Sequence, residues 1–369
     1  AGMFYIDPFL LGCTMEQNKR IASPATELFF ISLTSLFFEL LVIRWLSCDF
    51  LAFHVFKTFP LVTCFVGLGV GVAKADDRLF RYTPLALLVF VVLVGWLGSI
   101  GFGELTFPAA SFYQWTSYSA DFGAQLSIHI FRMALAILLL LAGPFAVMAC
   151  LGSRIGVLFN SLKPLNAYCV DIVGAITGSV LFGLLSFLCL PPEMQIVVVS
   201  LLVLCFIRPY YPKQLWRAIV PLVATIGVAF APGIIRPGSV WSPYGRIDAS
   251  EIKVPAEFAA DGKSNILGTF ISVNHGFSQI YTKQNYVELK PEAEKEGALK
   301  SLSDFLLVRK NYYAVPYQFK KPKDVLILGA GSGSDVQEAL RNGAEYIDAV
   351  ELDPSIVALG KKYNAAYGD

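Results

Sequence analysis

The chain is 369 residues long, 55% hydrophobic and 15% charged, with 29 Lys and Arg against 28 Asp and Glu. Soluble globular chains carry about 25% charged residues, so much of this one is solvated by lipid. A formal net charge of +1 leaves no electrostatic footprint for nucleic acid.

The seven cysteines include no Cys-x-x-Cys pair, and Cys64, Cys150, Cys169, Cys189 and Cys205 sit in apolar runs. They read as small core residues rather than a disulfide framework. Three scattered histidines argue against zinc, and no metal site is expected.

In chain order, residues 1–24 lack a signal-peptide layout, because Lys19 and Arg20 follow the short apolar stretch instead of preceding it. Apolar runs then predict membrane helices at Ala25–Trp45, Phe53–Ala73, Thr83–Gly103, Ile128–Met148, Ala167–Leu190, Met194–Ile207 and Leu215–Ile235. A span needs about 20 mainly apolar residues. Five runs meet that length, Met194–Ile207 is short, and Pro221 and Pro232 interrupt the last. Residues 25–235 are therefore expected to form an α-helical membrane bundle of six or seven spans.

Basic residues occupy alternate connections: Lys19 and Arg20; Lys74, Arg78 and Arg81; Arg154 and Lys163; Arg208 and Lys213. That pattern puts the amino terminus in the cytoplasm. Seven full crossings would leave the following domain outside.

Several polar residues fall inside the runs. Glu39 and Arg44 interrupt the first, His54 and Lys57 begin the second, and Asp171 lies in the fifth. Such charges are costly in a bilayer and face the bundle interior. Five residues apart, Glu39 and Arg44 lie about 140° apart around a helix. Each is expected to meet a group on another helix, either as a buried pair fixing register or as part of a proton or ion path. Gly174 and Gly178 form a GxxxG pair, continued by Ala175, Ser179 and Gly183, and read with Gly67, Gly69 and Gly71 as close helix packing. The connection Glu104–Gln125 is aromatic and free of Lys and Arg. It fits an interfacial belt on the outer side or a docking surface for a partner subunit.

From Arg236 the composition turns polar. Residues 236–290 are expected to form a small β-domain, with strands over Arg246–Val254 and Gly268–Lys283 and a turn at Asn274-His275-Gly276. Glu292–Tyr313 has the periodicity of an amphipathic helix, and Lys320–Lys323 that of a solvated lead into a strand.

Residues 291–369 hold the segment that speaks most directly of chemistry. Val325–Leu328 has buried-strand character and breaks into Gly329-Ala330-Gly331-Ser332-Gly333, a tight turn that exposes backbone. Ser334 opens a helix, with Gln337 as a capping-box partner and Gly343 as its stop. A second strand, Tyr346–Val350, ends at Glu351, and Asp353-Pro354 caps the next helix. This is the start of an α/β Rossmann-like unit, which binds nucleoside cofactors at the carboxyl ends of its strands. Glu351, 22 positions after Gly329, is spaced to accept from two ribose hydroxyls. The third glycine of a dinucleotide fingerprint falls on Ser334, which argues against NAD.

The series GAGSGSDV…ALRNGA…VELDP resembles the cofactor half of spermidine-synthase-like (polyamine aminopropyltransferase-like) proteins, specifically those with an N-terminal multi-span membrane domain. Trp241-Ser242-Pro243-Tyr244 and Asn274–Gln279 resemble that family's entry segment and small β-domain. The resemblance implies a fold of the S-adenosylmethionine methyltransferase type. It also implies S-adenosylmethionine or decarboxylated S-adenosylmethionine as cofactor, held by Gln279, Gly329, Ala330, Gly331, Ser332, Gly333 and Glu351. The implied reaction is transfer of an aminopropyl or methyl group to an amine-type acceptor, at a membrane of the bacterial inner-membrane type. A cytosolic cofactor requires a cytoplasmic C-terminal domain, so either one run does not cross, with the proline-broken Leu215–Ile235 the expected one, or the domain does not use that cofactor.

The chain also departs from that family. Tyr281–Glu288 lacks its Asp-Glu pair and Tyr-His-Glu triplet, and Ser332 stands where it has an acid. The family's catalytic aspartate belongs to a later strand-loop, so no catalytic residue is assigned. These departures leave a second expectation, a non-catalytic integral membrane subunit of a larger complex with a degenerate enzyme-like domain. The expected partners are the lipid bilayer and partner membrane subunits or a second copy.

Overall fold

The computed structural model describes residues 23–102, 122–212, 214–231, 238–254, 265–274, 277–282 and 312–363. The expectations for residues 1–22, the aromatic connection to residue 121, the stretch 283–288 and most of the 292–313 helix lie outside the described residues. The chain forms two compact units, Ala1–Arg236 and Pro237–Asp369.

The first unit is helical: α1 Pro24–Asp49, α2 Leu51–Val55, α3 Thr58–Lys74, α4 Asp77–Phe80, α5 Thr83–Ser99, α6 Phe122–Ser161, α7 Pro164–Phe187, α8 Pro192–Ile207 and α9 Trp216–Ala229. Among the described residues, four helical stretches are long and apolar enough to cross a bilayer: α1, residues 130–161 of α6, α7, and α8 with the turn that follows it to Tyr210. The apolar helices α3, α5 and α9 are shorter. At 1.5 Å per residue the 14-residue α9 reaches about 21 Å, less than the hydrocarbon core of about 30 Å. Outward-facing Val62, Phe65, Leu138, Val180, Leu184 and Phe187 give the unit an extensive exposed apolar surface.

Local chemistry sets the helix limits. Ser23 opens α1 by accepting the Thr26 amide at 3.2 Å, with Pro24 in the first turn and Glu27 near the positive end of the helix. The run Phe53–Ala73 is broken at Phe56-Lys57, so it is split between α2 and α3 rather than being one helix. Buried aromatics build the core, Trp45 and Phe38 each meeting the Phe90 ring edge-on at 5.8 and 5.6 Å.

Helix pairs close through glycine. On α3 and α6, Gly67, Gly71, Gly152 and Gly156 interleave so tightly that a Cβ on Gly71 would lie 2.2 Å from the Ala149 carbonyl oxygen. On α7, Cβ atoms on Gly174 and Gly178 would lie 2.4 and 2.3 Å from the Phe29 and Leu33 carbonyls of α1. Gly67, Gly71, Gly174 and Gly178 are packing surfaces, as read from the sequence, and Gly152 and Gly156 join them in the structure. Gly69 and Gly183 have open space instead and do not belong to those faces.

Arg154 departs from its expected place in a connection. It lies inside α6, 4% exposed. Its Nε and Nη2 donate to the two Glu27 carboxylate oxygens at 2.8 Å, and Nη1 donates to Asp77 at 2.6 Å. The guanidinium carbon lies 5.4 Å from the Tyr210 ring centroid. One side chain thus gathers the start of α1, the α3–α5 turn, the end of α6 and the turn after α8. Ser153 reinforces this end by exchanging two hydrogen bonds with the Asp76 backbone, at 2.7 and 2.9 Å.

The second unit holds a four-stranded antiparallel sheet in the order β1 Ser239–Trp241, β2 Arg246–Val254, β3 Asn265–Val273 and β4 Phe277–Thr282. The β3–β4 hairpin pairs Val273 with Phe277, leaving three residues to turn, and Asn274 adopts φ 51°. Asn274 Oδ1 also accepts the Arg246 amide at 2.8 Å, tying the hairpin to β2. A parallel pair, β5 Asp324–Leu328 and β6 Tyr346–Val350, is joined by α10 Ser334–Arg341 and followed by α11 Pro354–Tyr363. Ile271 and Ile247 of the antiparallel sheet are buried against Leu359 of α11.

Candidate functional site

The parallel pair alternates in the strand period of two. Val325, Ile327 and Ile347 pack with Val336 and Ala339 of α10. Leu326, Leu328 and Val350 point the other way and are exposed. Leu328 pairs with Val350 at the carboxyl ends of both strands, and the glycine turn starts there.

The turn's shape comes from its glycines. Gly329, Gly331 and Gly333 have φ of 73°, 54° and 88°, a region side chains resist. The amides of Gly329 and Ala330 both donate to the Val350 carbonyl, at 2.8 and 3.0 Å, which clamps the turn onto the end of β6. Ala330 and Ser332 are buried beside it. Around Gly329 there is open space, with no atom of the described residues beyond its chain neighbours within 4 Å of where a Cβ would stand.

Glu351 faces this turn. One carboxylate oxygen accepts the Gly331 amide at 2.8 Å and the other accepts the Asp353 amide at 3.0 Å. No cation pairs with it among the described residues. Each oxygen keeps a second acceptor site, so the group can still receive two hydroxyls. The structure thus brings Glu351 into direct contact with the glycine turn.

Other placements are mixed. The capping box expected of Ser334 and Gln337 does not form. Gly333 occupies the N-cap in the left-handed region, where its own carbonyl accepts the Gln337 amide at 3.0 Å. At the far end Gly343 acts as the stop, through Gly343→Leu340 and Ala344→Ala339 backbone bonds of 3.1 Å each. Asp353 caps α11 by accepting the Ser355 amide at 2.9 Å. Gln279 belongs to β4, opposite Ile271 in register, and not to the glycine turn or its flanking strands. Lys323 forms an exposed ion pair with Glu345 at 2.6 Å.

Tyr317 is a neighbour the sequence reading missed. It packs on the Ile327–Val336 core, and burial, then the charges of Asp335 and Glu338, raise its phenol above the ordinary tyrosine range. Nothing in its local sequence marks it, because that contact depends on how the segment folds back over α10.

Among the described residues no group of three His, Cys, Asp or Glu side chains could hold a metal ion. No family model, curated protein or solved structure matches the chain.

Proposed function

We propose that the chain is a membrane-anchored transferase of the spermidine-synthase-like kind. It binds S-adenosylmethionine or decarboxylated S-adenosylmethionine and passes a methyl or aminopropyl group to an amine-type acceptor. The observation that carries this reading is Glu351, a carboxylate at a parallel strand's end turned onto a bare glycine turn. The residues fit a nucleoside. Glu351 has acceptor capacity for the two ribose hydroxyls, and the space at Gly329 admits close approach to backbone. When bound, the cofactor supplies a sulfonium as leaving group, whose sulfur keeps the electron pair as the new bond to nitrogen forms. The chain's part is to hold the nucleoside and position it. The β5–α10–β6 unit is read as the start of an α/β Rossmann-like domain.

A second reading is a non-catalytic membrane subunit with a degenerate enzyme-like domain. Ser332 favours it, since a buried serine stands where the resembled family has an acid.

The test is calorimetric titration of the full-length chain in detergent micelles with each form of the cofactor. Micromolar-range binding of one form, weakened at least tenfold by Glu351→Ala in a chain that still unfolds cooperatively above the titration temperature, is the expected result. Failure of the folded wild-type chain to bind either form decides for the subunit reading.

A further inference from the structure

Glu39 lies midway along α1 and is 3% exposed. Among the described residues no hydrogen-bond donor and no cation reaches its carboxyl, against the expectation of a partner on another helix. Other carboxylates of the bundle are engaged. Glu27 and Asp77 hold Arg154, Asp171 accepts the Ser32 hydroxyl at 2.5 Å, and Asp49 accepts the Trp45 indole at 2.9 Å.

The surroundings of Glu39 are nearly all apolar. Phe37, Phe38, Leu41 and Val42 flank it on α1 with no exposed surface. One turn earlier Ser35 directs its hydroxyl to the Met148 sulfur at 3.8 Å. Cys64 of α3, fully buried, is the titratable side chain that faces it. Among the described side chains, the charged or titratable groups on the other elements packed on α1 are His54 of α2, Lys74 of α3, Arg132, Cys150 and Arg154 of α6, Tyr168, Cys169 and Asp171 of α7, and Glu193 and Cys205 of α8, and none bonds to Glu39. Arg44, on α1 itself, stands about 140° away around the helix. An ionised carboxylate without a partner in such a place is too costly, and the group takes up a proton instead.

We propose that Glu39 is a proton-binding site of the bundle, its carboxyl held protonated between α1 and α3 with Ser35 and Cys64 as its polar neighbours. The ligand is a proton. The carboxyl O–H bond forms as an O–H bond of hydronium breaks and leaves water, and the reverse step returns the proton to water as hydronium. Access requires α1 and α3 to part locally, so exchange is slow compared with that of a surface acid.

Infrared spectroscopy of the full chain in micelles near neutral pH tests this. The wild-type chain should show the C=O stretch of a protonated carboxyl, shifted by isotope labelling of glutamate side chains. Glu39→Gln should abolish the band while the other carboxylate bands stay. Should Glu39→Gln fail to fold, Glu39→Asp moves the band off the glutamate label and serves the same purpose. A wild-type chain whose glutamates show only ionised-carboxylate bands overturns the proposal, as does a protonated band that persists in both variants.

Discussion

Glycine and carboxylate are used in opposite ways in the two units. In the helical unit, Gly71 and Gly178 lie in regular helices, and their missing Cβ atoms are replaced by a neighbour's backbone. In the second unit, Gly329 takes φ 73° and no described residue fills the space beside it. Glu27 is closed off by both arms of a guanidinium, whereas among the described residues Glu351 is held by two backbone amides and no cation. A glycine backed by protein is a packing device, and a carboxylate paired with Arg has its charge already answered. A glycine open to space beside an acceptor with lone pairs to spare is where a ligand can enter.

The sharpest way to break the first half of that comparison is at Arg154. Arg154→Met leaves Glu27 and Asp77 without their cation and releases four helix ends. Removing one partner of a buried ion pair costs about 3–5 kcal/mol. Glu27 is nearly buried, but Asp77 is about half exposed and gives little of that loss. The unfolding temperature in detergent micelles should fall further for this variant than for any single glycine substitution in the bundle. A transition within a degree of the wild type would mean that these ends are held by helix packing alone.

Next in size is the glycine packing itself. Gly71→Ala places a methyl group 2.2 Å from a carbonyl oxygen and 2.7 Å from the Ser153 amide nitrogen, both backbone. Neither can move without parting α3 from α6, and overpacking of that kind costs about 1–3 kcal/mol. Gly69→Ala, on the same helix with nothing nearby, should leave stability unchanged or raise it by up to about 1 kcal/mol. Equal losses from the two variants would show that helix propensity, and not contact between backbones, sets the stability of this pair.

These residues also show how far sequence reaches. Small residues spaced four apart in apolar runs announce close helix contacts, so Gly174 and Gly178 are legible even without their partners. Arg154 is not. A basic residue near the end of an apolar run reads as a loop, and only the folded bundle brings Glu27, Asp77 and Tyr210 to it from remote parts of the chain. For the same reason the expected cross-helix partner of Glu39 can be inferred only as a type of group, and none meets it among the described residues. In the second unit the strand limits and Glu351 follow from local pattern. The role of Gly333 as N-cap does not, because Ser334 and Gln337 carry a capping signature that the left-handed glycine before them pre-empts.

The smallest effect on stability, and the most informative about the turn, comes from Gly329→Ala. A side chain at φ 73° strains the backbone by about 1–2 kcal/mol, and the open space adds no clash. Gly343, with φ 87° and equally open surroundings, provides the control. Both alanine variants should lower the unfolding temperature by a similar, modest amount. If the turn receives a nucleoside, only Gly329→Ala puts a methyl group where it must approach, and adenosylmethionine titration should show its affinity falling about tenfold or more, or roughly 1.4 kcal/mol. Gly343→Ala should bind as the wild type does. Equal binding by both variants would make the open space at Gly329 a feature of the turn alone, and Glu351 a clamp on the loop rather than an acceptor for a ligand.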